Sequence, residues 1–281
     1  MFGTGYCCNV IIAQTWNRDL AYRAAEGIAR EFHDFGVVGW YAPSMNIHRS
    51  ALAGRNFEYY SEDGFLSGEL AAEQVHASSS EDVYPYIKHF ALNEQETNRN
   101  GLLCTWTTEQ AMREIYLKPF EEAVKANLED GGAANGNPLA IMSSYNYIGA
   151  TWAAACSELQ KTVLRDEWGF RGMVLSDYFG NYGYMDADRA IRGGTDIMLG
   201  TTGNEAILTD QTSATSIEAM RLATKNVLFT TVNSAVYDTY VPGQIPSWLM
   251  TSYIIEGAVV AVLVVCEILL VRGYLKKKKA A

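Results

Sequence analysis

A carboxylate follows a short apolar run at the centre of residues 169–180, GFRGMVLSDYFG. The run Met173-Val174-Leu175 is bounded by glycines on both sides, which is typical of a buried strand. Asp177 lies where the chain leaves this strand, and in α/β barrels that edge of the sheet carries the chemistry. Asp177 is therefore a candidate catalytic carboxylate. The alternative is that it caps the next helix or holds a loop in place.

Basic side chains accompany the other predicted strands and loops. Lys88 and His89 occupy the middle of the strand-like run 86–92, where the alternative role is a core position with backbone hydrogen-bond partners. Arg55 lies in the long polar loop 44–63, and loops of this length and polarity are usually functional. Parallel strands would bring such residues to one rim of a barrel.

The nearby acidic residues are expected to have structural roles. Glu58 forms an ion pair with Arg55 in this interpretation, and Asp196 is structural at the end of another strand-like run. Glu94 and Glu96 belong to a second polar loop, 93–100. Because acids in loops are more often solvated than catalytic, neither is assigned the role of general acid.

The elements that must position these residues alternate along the chain. The predicted strands are 37–41, 86–92, 139–146, 173–175 and 195–199, and the predicted helices are 19–35, 64–76, 108–130, 157–169, 186–192 and 216–233. Pro119 should divide the third helix, and Ser157 with Gln160 should form a capping box for the fourth. The pattern predicts an α/β fold, a (β/α)8 TIM-type barrel that is incomplete at the N-terminus.

Composition excludes several classes of function. The chain has 281 residues and a net charge of -10, so nucleic acid is not expected as a partner. Its five cysteines include no CxxC pair, and no histidine lies at zinc-site spacing from them. We therefore expect no metal and no cofactor.

The C-terminal region is nearly continuously apolar over residues 248–271, which is long enough for one transmembrane helix. A buried core helix is the alternative. The basic residues of 272–281 follow directly, and the positive-inside rule places them in the cytoplasm. The sequence thus predicts a barrel domain over 1–240, a linker over 241–247, a helix that contacts the lipid bilayer over 248–271, and a single-pass membrane protein whose folded part is extracellular.

Four motifs, in order and separated by whole βα units, resemble glycoside hydrolase family 3, the β-glucosidase-like enzymes, over residues 14–233. They are Gly54-Arg55-Asn56-Phe57-Glu58 with Ser61-Glu62-Asp63; Lys88-His89-Phe90 with Asn93, Glu96 and Arg99; Met142-Ser143-Ser144-Tyr145-Asn146; and Leu164-Arg165-Asp166-Glu167-Trp168-Gly169-Phe170 leading to Ser176-Asp177.

The resemblance implies a role for individual residues. Asp177 matches the family's catalytic nucleophile, and Met142 and Tyr145 match residues beside it. Tyr178 stands where β-glucosidases of the family usually have Trp, which leaves the sugar open. The residues that match those holding the hydroxyls of the first sugar are Arg55, Lys88, His89 and Arg99. The implied reaction is retaining hydrolysis of a β-linked oligosaccharide or glycoside, of the β-glucosidase or β-xylosidase type, in carbohydrate metabolism.

The chain also departs from the family. An early strand with a sugar-binding Asp is not found, nor is the α/β sandwich domain that supplies the general-acid Glu. The acid/base residue is therefore unassigned, and a missing α/β sandwich domain is its expected source. Residues 91–94 are Ala-Leu-Asn-Glu and lack the His-Asp dyad of the family's N-acetylglucosaminidase branch. The alternative to an active enzyme is a catalytically incomplete, membrane-anchored sugar-binding remnant.

Overall fold

The computed structural model of the chain describes residues 3–129, 139–180, 182–200, 206–236 and 247–280. The chain divides into two compact units, Met1–Asp238 and Thr239–Ala281. The larger unit contains every residue that the sequence assigns to the site. The predicted boundary at residue 240 and most of the predicted linker lie outside the described residues, so this division remains a prediction.

A parallel sheet forms the centre of the larger unit. The described strands are β1 Gly39–Trp40, β2 Tyr84–Phe90, β3 Cys104–Thr105, β4 Ala140–Ser143, β5 Tyr147–Ile148, β6 Thr151–Trp152 and β7 Val174–Leu175. The main sheet has the order β1-β2-β4-β7, and every neighbouring pair is parallel. A smaller sheet has the order β3-β5-β6.

Helices follow the strands in the larger unit, as the sequence predicts. They are α1 Asn9–Gln14, α2 Arg18–Asp34, α3 Gly64–Ser80, α4 Glu109–Ala111, α5 Lys118–Glu129, α6 Ala187–Gly193 and α7 Ala214–Val232, with π-helical segments at Met112–Tyr116 and Glu158–Glu167 and a 3-10 turn at Ala153–Ala155. The core lies between the sheet and the first long helices, where Ile87 and Val174 pack with Leu70 and Phe120. Alternation of parallel strands and helices places the strand ends at one rim.

The prediction of a strand over 195–199 is wrong. Ile197 forms only an isolated bridge with Leu175. The Asp196 side chain accepts a hydrogen bond from the backbone N–H of Val174 at 2.7 Å. The carboxylate thus takes the place of a backbone acceptor for the Val174 N–H, although the backbone N–H and carbonyl of Ile197 still bond to Val174 and Ser176. The carboxylate contact agrees with the structural role expected of Asp196.

The helix predicted over 108–130 is divided, as Pro119 suggests. The π-helical segment ends at Tyr116, and α5 begins at Lys118. Pro119 lies in the first turn of α5, where the missing backbone N–H removes no helical hydrogen bond.

The prediction of a capping box at Ser157 is wrong. The Ser157 hydroxyl donates to the side chain of Glu158, and the buried Gln160 amide donates to the carbonyl of Ala153 at 3.1 Å. The following segment is π-helical, so its spacing differs from that of an α-helical box.

The inward face of the last barrel helix does not follow its apolar residues. Ile217 and Leu228 are exposed on α7, although Met220 and Val227 pack against buried clusters. The buried positions of α7 are Ser216, Ala219, Ala223, Asn226 and Thr230. Because these side chains are small or polar, the helix can lie close to the sheet. A prediction based on the periodicity of apolar residues does not identify such buried positions.

The smaller unit contains one described helix, α8, at Ser247–Ala280. Its segment Leu249–Arg272 has a mean hydropathy of 2.7 and is long and apolar enough to cross a bilayer by length and composition. The helix continues into the predicted tail 272–281 as far as residue 280.

Candidate active site

Asp177 is buried at the carboxyl end of β7 and is only 8% exposed. One carboxylate oxygen, Oδ1, accepts a hydrogen bond from the backbone N–H of Tyr178 at 2.8 Å. Asp177 does not cap the next helix, because Asp186 does so by accepting from the N–H of Arg189. The helix-cap alternative for Asp177 is therefore wrong.

The second carboxylate oxygen of Asp177, Oδ2, lies among basic groups. Arg99 Nη1 is 3.7 Å away and His89 Nε2 is 3.9 Å away. Within the described part of the chain, both Asp177 Oδ2 and Arg99 Nη1 are buried without a hydrogen-bond partner. Buried polar atoms are almost always hydrogen-bonded, so two adjacent orphans indicate a place where a polar ligand completes the network.

Burial raises the pKa of Asp177 above its ordinary value. The Tyr178 N–H and the positive charges of Arg99, Arg55 and Lys88 act in the opposite direction. The basic residues therefore favour the ionised carboxylate, but they do not outweigh its desolvation.

Two further carboxylates neutralise the basic residues at this rim. Glu58 lies 2.6 Å from Arg55 Nη2 and 3.1 Å from Lys88 Nζ. Glu96 lies 3.0 Å from Arg99 Nε and 3.4 Å from Arg55 Nη1. Together with Asp177, these groups comprise three cations and three carboxylates. Glu58 is thus the structural ion-pair partner that the sequence suggests.

His89 is neutral within this network. Its pKa lies well below its ordinary value because of burial, and then because of the charges of Arg55, Lys88 and Arg99. The Nε2 atom lies 3.0 Å from Arg55 Nη1. Since a guanidinium only donates, Nε2 accepts this hydrogen bond and carries no proton.

Asn46 fixes the orientation of His89. The backbone N–H of His89 donates to Asn46 Oδ1 at 2.9 Å, and its backbone carbonyl accepts from Asn46 Nδ2 at 3.0 Å. These two contacts establish which atom of the Asn46 side-chain amide is the oxygen and which is the nitrogen. His89 Nδ1 lies 3.4 Å from Asn46 Oδ1, so the ring proton belongs on Nδ1. This tautomer leaves Nε2 free to accept from Arg55.

Glu94 also holds the Asn46 side chain in place. Its Oε1 accepts from Asn46 Nδ2 at 3.4 Å and from the backbone N–H of Ile47 at 3.3 Å. The expectation that Glu94 is a solvated loop acid is wrong, because it is 8% exposed. Burial raises the pKa of Glu94 to about 7, although these hydrogen bonds and Arg49 lower it. The sequence patterns did not single out Asn46, whose only signal was its place in the long polar loop.

The aromatic candidates occupy different positions. Tyr145 is buried, and the guanidinium of Arg99 lies over its ring at 4.7 Å. Tyr178 is 41% exposed and directly follows Asp177. Met142 is paired with Leu175 across the sheet and buried in a cluster with it. The structure thus brings Tyr145 to the charged group and places Met142 in the layer beneath it.

The arrangement combines a buried carboxylate with side chains that can bind hydroxyl groups. Among the described residues, no group of three or more His, Cys, Asp and Glu could hold a metal ion. The charged rim offers one carboxylate with an unoccupied oxygen and several fixed donors. Such a set suits an uncharged ligand with several hydroxyl groups and a carbon that a carboxylate can attack.

Comparisons with known proteins agree with this geometry. The sequence profile of the glycosyl hydrolase family 3 N-terminal domain matches residues 2–228. The chain is 38% identical over 205 residues to β-glucosidase A of Butyrivibrio fibrisolvens. The matched region covers 73% of this chain and 23% of that protein. It is 43% identical over 182 residues to β-glucosidase B of Emericella nidulans, which is 63% of this chain and 20% of that protein.

Solved structures show the same fold. β-Glucosidase 3B of Thermotoga neapolitana, in complex with α-D-glucose, matches with a TM-score of 0.72 and 34% identity over 87% of this chain and 34% of that chain. A β-glucosidase of Bifidobacterium adolescentis matches with a TM-score of 0.70 and 27% identity over 86% and 34% of the two chains. The fold is thus TIM-barrel-like α/β, and the chain spans about a fifth to a third of the length of these relatives. The chain belongs to glycosyl hydrolase family 3, whose N-terminal domain accounts for most of its length.

Proposed function

We propose that this chain is the nucleophile-bearing part of a retaining β-glycosidase of the β-glucosidase type. The observation that carries the proposal is the pair of buried, unpartnered atoms Asp177 Oδ2 and Arg99 Nη1, 3.7 Å apart. A sugar hydroxyl would accept a hydrogen bond from Arg99 Nη1, and the anomeric carbon of the same sugar would lie within reach of Asp177 Oδ2. Relatives named as β-glucosidases support the same substrate class.

In the proposed reaction, Asp177 attacks the anomeric carbon and forms a covalent glycosyl-enzyme, which water then hydrolyses. Oδ1 is held by the N–H of Tyr178, which leaves Oδ2 for the attack. Arg55, Lys88 and Arg99 donate to sugar hydroxyls, while His89 accepts from Arg55 through Nε2 and so holds that guanidinium in place. Fixed donors orient the ring for reaction and lower the entropic part of the barrier.

The proton for the leaving group must come from another residue. Glu58 and Glu96 are each paired with two cations, and the pKa of Glu58 lies below its ordinary value because Lys88, Ser44 and Arg55 outweigh its burial. Glu94 could carry a proton at neutral pH, but its Oε1 is bound by Asn46 and Ile47. We therefore propose that a separate α/β sandwich domain supplies the general acid.

Mechanism-based labelling tests the nucleophile. The whole chain, in a detergent without a sugar head group, is treated with 2-deoxy-2-fluoro-β-glucosyl fluoride, whose leaving group needs little acid assistance. Peptide mass spectrometry should locate the glycosyl adduct on Asp177. The variant Asp177→Asn should lose it, and the exposed-site control Asp166→Asn should keep it. A folded protein without any adduct would contradict the proposal and favour a sugar-binding remnant.

We further propose that Leu249–Arg272 anchors the chain in a membrane with the barrel outside the cell. Its apolar length and the basic residues that follow it support this topology. Protease digestion of intact cells should cleave the barrel and spare the C-terminal tail. Release of the protein by alkaline carbonate would contradict the anchor.

A further inference from the structure

A second cavity, of about 510 Å³, lies next to the loop 93–99 that carries part of the catalytic rim. Its volume is within the usual range for small-molecule sites. The residues on which its chemistry depends are Arg49, Glu94, Gln95, Thr97, Trp106 and Thr107. None of them contacts the sugar in the proposed hydrolysis, although Glu94 bonds to Asn46 behind His89.

The loop separates this cavity from the catalytic rim. Glu96 forms its ion pairs with Arg55 and Arg99 on the catalytic side. The residues on either side of it, Gln95 and Thr97, line the cavity. Successive side chains of this loop therefore face the cavity, the catalytic rim and the cavity again.

Trp106 provides a flat aromatic wall for the cavity. It is 76% exposed, which is unusual for so large an aromatic side chain. A β-carbon built on Gly149, a residue with a φ of +60°, would lie 3.4 Å from the Trp106 ring, so the ring rests close to this turn. An indole supported at one edge and open to solvent is suited to stack against the apolar face of a ligand ring.

The polar groups of the cavity are mainly uncharged. Within the described part of the chain, the hydroxyls of Thr97 and Thr107 make no hydrogen bond, and the Gln95 amide nitrogen donates to the carbonyl of Thr97 at 2.8 Å. Hydroxyls both donate and accept, and the Gln95 amide oxygen can accept as well, which matches a ligand rich in hydroxyl groups.

The charges of the cavity do not favour an ionic ligand. The one cation in its lining, Arg49, donates to the hydroxyl of Tyr116 and lies 5.8 Å from the centre of that ring. The one carboxyl group, Glu94, is held by Asn46 and Ile47. A phosphate ligand would need several cations or a cradle of N–H donors. The ligand class is therefore neutral and polyhydroxylated.

We propose that this cavity binds a pyranose unit of a neutral oligosaccharide, with Trp106 as the stacking platform and Gln95, Thr97 and Thr107 as hydrogen-bonding groups. The inference goes beyond the proposed hydrolysis, because the site shares no side chain with the nucleophile. It provides a second point of attachment for a glycan chain next to the catalytic rim.

Cys104 reports on occupancy of the cavity, because it lines the cavity and its thiol is free and exposed. The whole chain, in a detergent without a sugar head group, is alkylated with iodoacetamide in the presence or absence of cellotetraose. Peptide mass spectrometry gives the rate at each cysteine. We expect the saccharide to slow the alkylation of Cys104 roughly threefold or more at saturation. The rates at the exposed Cys7 and Cys8 should not change.

Substitutions separate this site from the catalytic site. Trp106→Ala should weaken cellotetraose protection of Cys104 about tenfold or more, as expected when a central aromatic contact is removed. Trp16→Ala is the matched control, since Trp16 is 75% exposed and does not line the cavity. Asp177→Asn should retain the protection. The proposal would be overturned if millimolar cellotetraose left the labelling of Cys104 unchanged, or if Trp106→Ala kept full protection. Either result would count against this cavity alone, because labelling of Asp177 by the fluorosugar tests the proposed hydrolysis separately.

Discussion

Glu58→Gln tests whether the charged rim depends on balanced ion pairs. The substitution keeps the size of the side chain and an acceptor oxygen, but it removes the negative charge between Arg55 and Lys88. Both cations have mostly buried side chains, 16% and 13% exposed. The variant therefore leaves two partly desolvated cations without their shared counterion.

The expected loss follows from the geometry. At separations of 2.6 and 3.1 Å, each pair has a gross Coulomb energy of about 5–6 kcal/mol at an effective dielectric constant of ~20. Removing the charge also relieves the desolvation of Glu58, and its side chain is 25% exposed, so solvent screens part of the interaction. We expect a net loss of about 2–3 kcal/mol, somewhat below the value for breaking a fully buried pair.

The effect should depend on pH. Burial raises the pKa of Glu58, but Lys88, the hydrogen bond from Ser44 and Arg55 together lower it below its ordinary value. A lowered carboxyl pKa stabilises the folded state above the unfolded pKa of about 4.3, and the contribution disappears as the pH falls through the folded pKa. The difference between wild type and Glu58→Gln should therefore be largest near neutral pH and smaller in acid.

Thermal unfolding, followed by near-ultraviolet circular dichroism on the whole chain in detergent, measures this difference. The loss corresponds to a decrease of about 5–10 °C in Tm at pH 7. The exposed Glu114→Gln should change Tm by less than about 2 °C. Equal Tm values for wild type and Glu58→Gln at pH 7, or a difference that does not shrink at pH 3.5, would refute the reasoning.

Three other substitutions test the supporting structure. Burial raises the pKa of Glu94 to about 7, so the folded wild type keeps a proton that the unfolded chain releases from about pH 4.3 upward. Wild type should therefore lose stability relative to Glu94→Gln as the pH rises from 5 to 8. Urea titrations measure this difference in the free energy of unfolding, and a difference that stays constant with pH would contradict the reasoning. Asn46→Ala should change the ¹⁵N ring shifts of His89 in histidine-selective NMR, because Nδ1 loses its acceptor; unchanged shifts would exclude the assigned tautomer. Phe90→Ala should lower the free energy of unfolding by about 3–5 kcal/mol, and the exposed Phe65→Ala by less than about 0.5 kcal/mol; equal effects would contradict the assigned core.

The order of the main elements could be predicted from the sequence because strand and helix periodicities are local. The short apolar run before Asp177 is a strand, and Pro119 marks a helix boundary. The run 195–199 has similar local features but forms only an isolated bridge at Ile197, next to which the Asp196 side chain replaces a backbone acceptor for Val174. That outcome depends on Val174, far from it in sequence, and no local pattern contains it.

The candidate site shows the same limit. Motif residues such as Arg55, His89 and Asp177 could be named from the sequence, and the structure brings them together. Glu94 could not be distinguished from an ordinary loop acid, because its burial depends on Asn46, which precedes it by 48 residues. The role of Asn46 is visible only once both of its amide atoms are seen on the backbone of His89.

The charge balance of the rim has a consequence for the proposed chemistry. Attack by Asp177 develops positive charge at the anomeric carbon, so a rim with three cations and one carboxylate would oppose the reaction. Glu58 and Glu96 cancel this excess while leaving Arg55, Lys88 and Arg99 in place as hydrogen-bond donors. The two carboxylates therefore permit one set of side chains to hold sugar hydroxyls tightly without raising the electrostatic cost of the oxocarbenium-like transition state. Because each of these two carboxylates is held between two cations, neither is suited to protonate the leaving group.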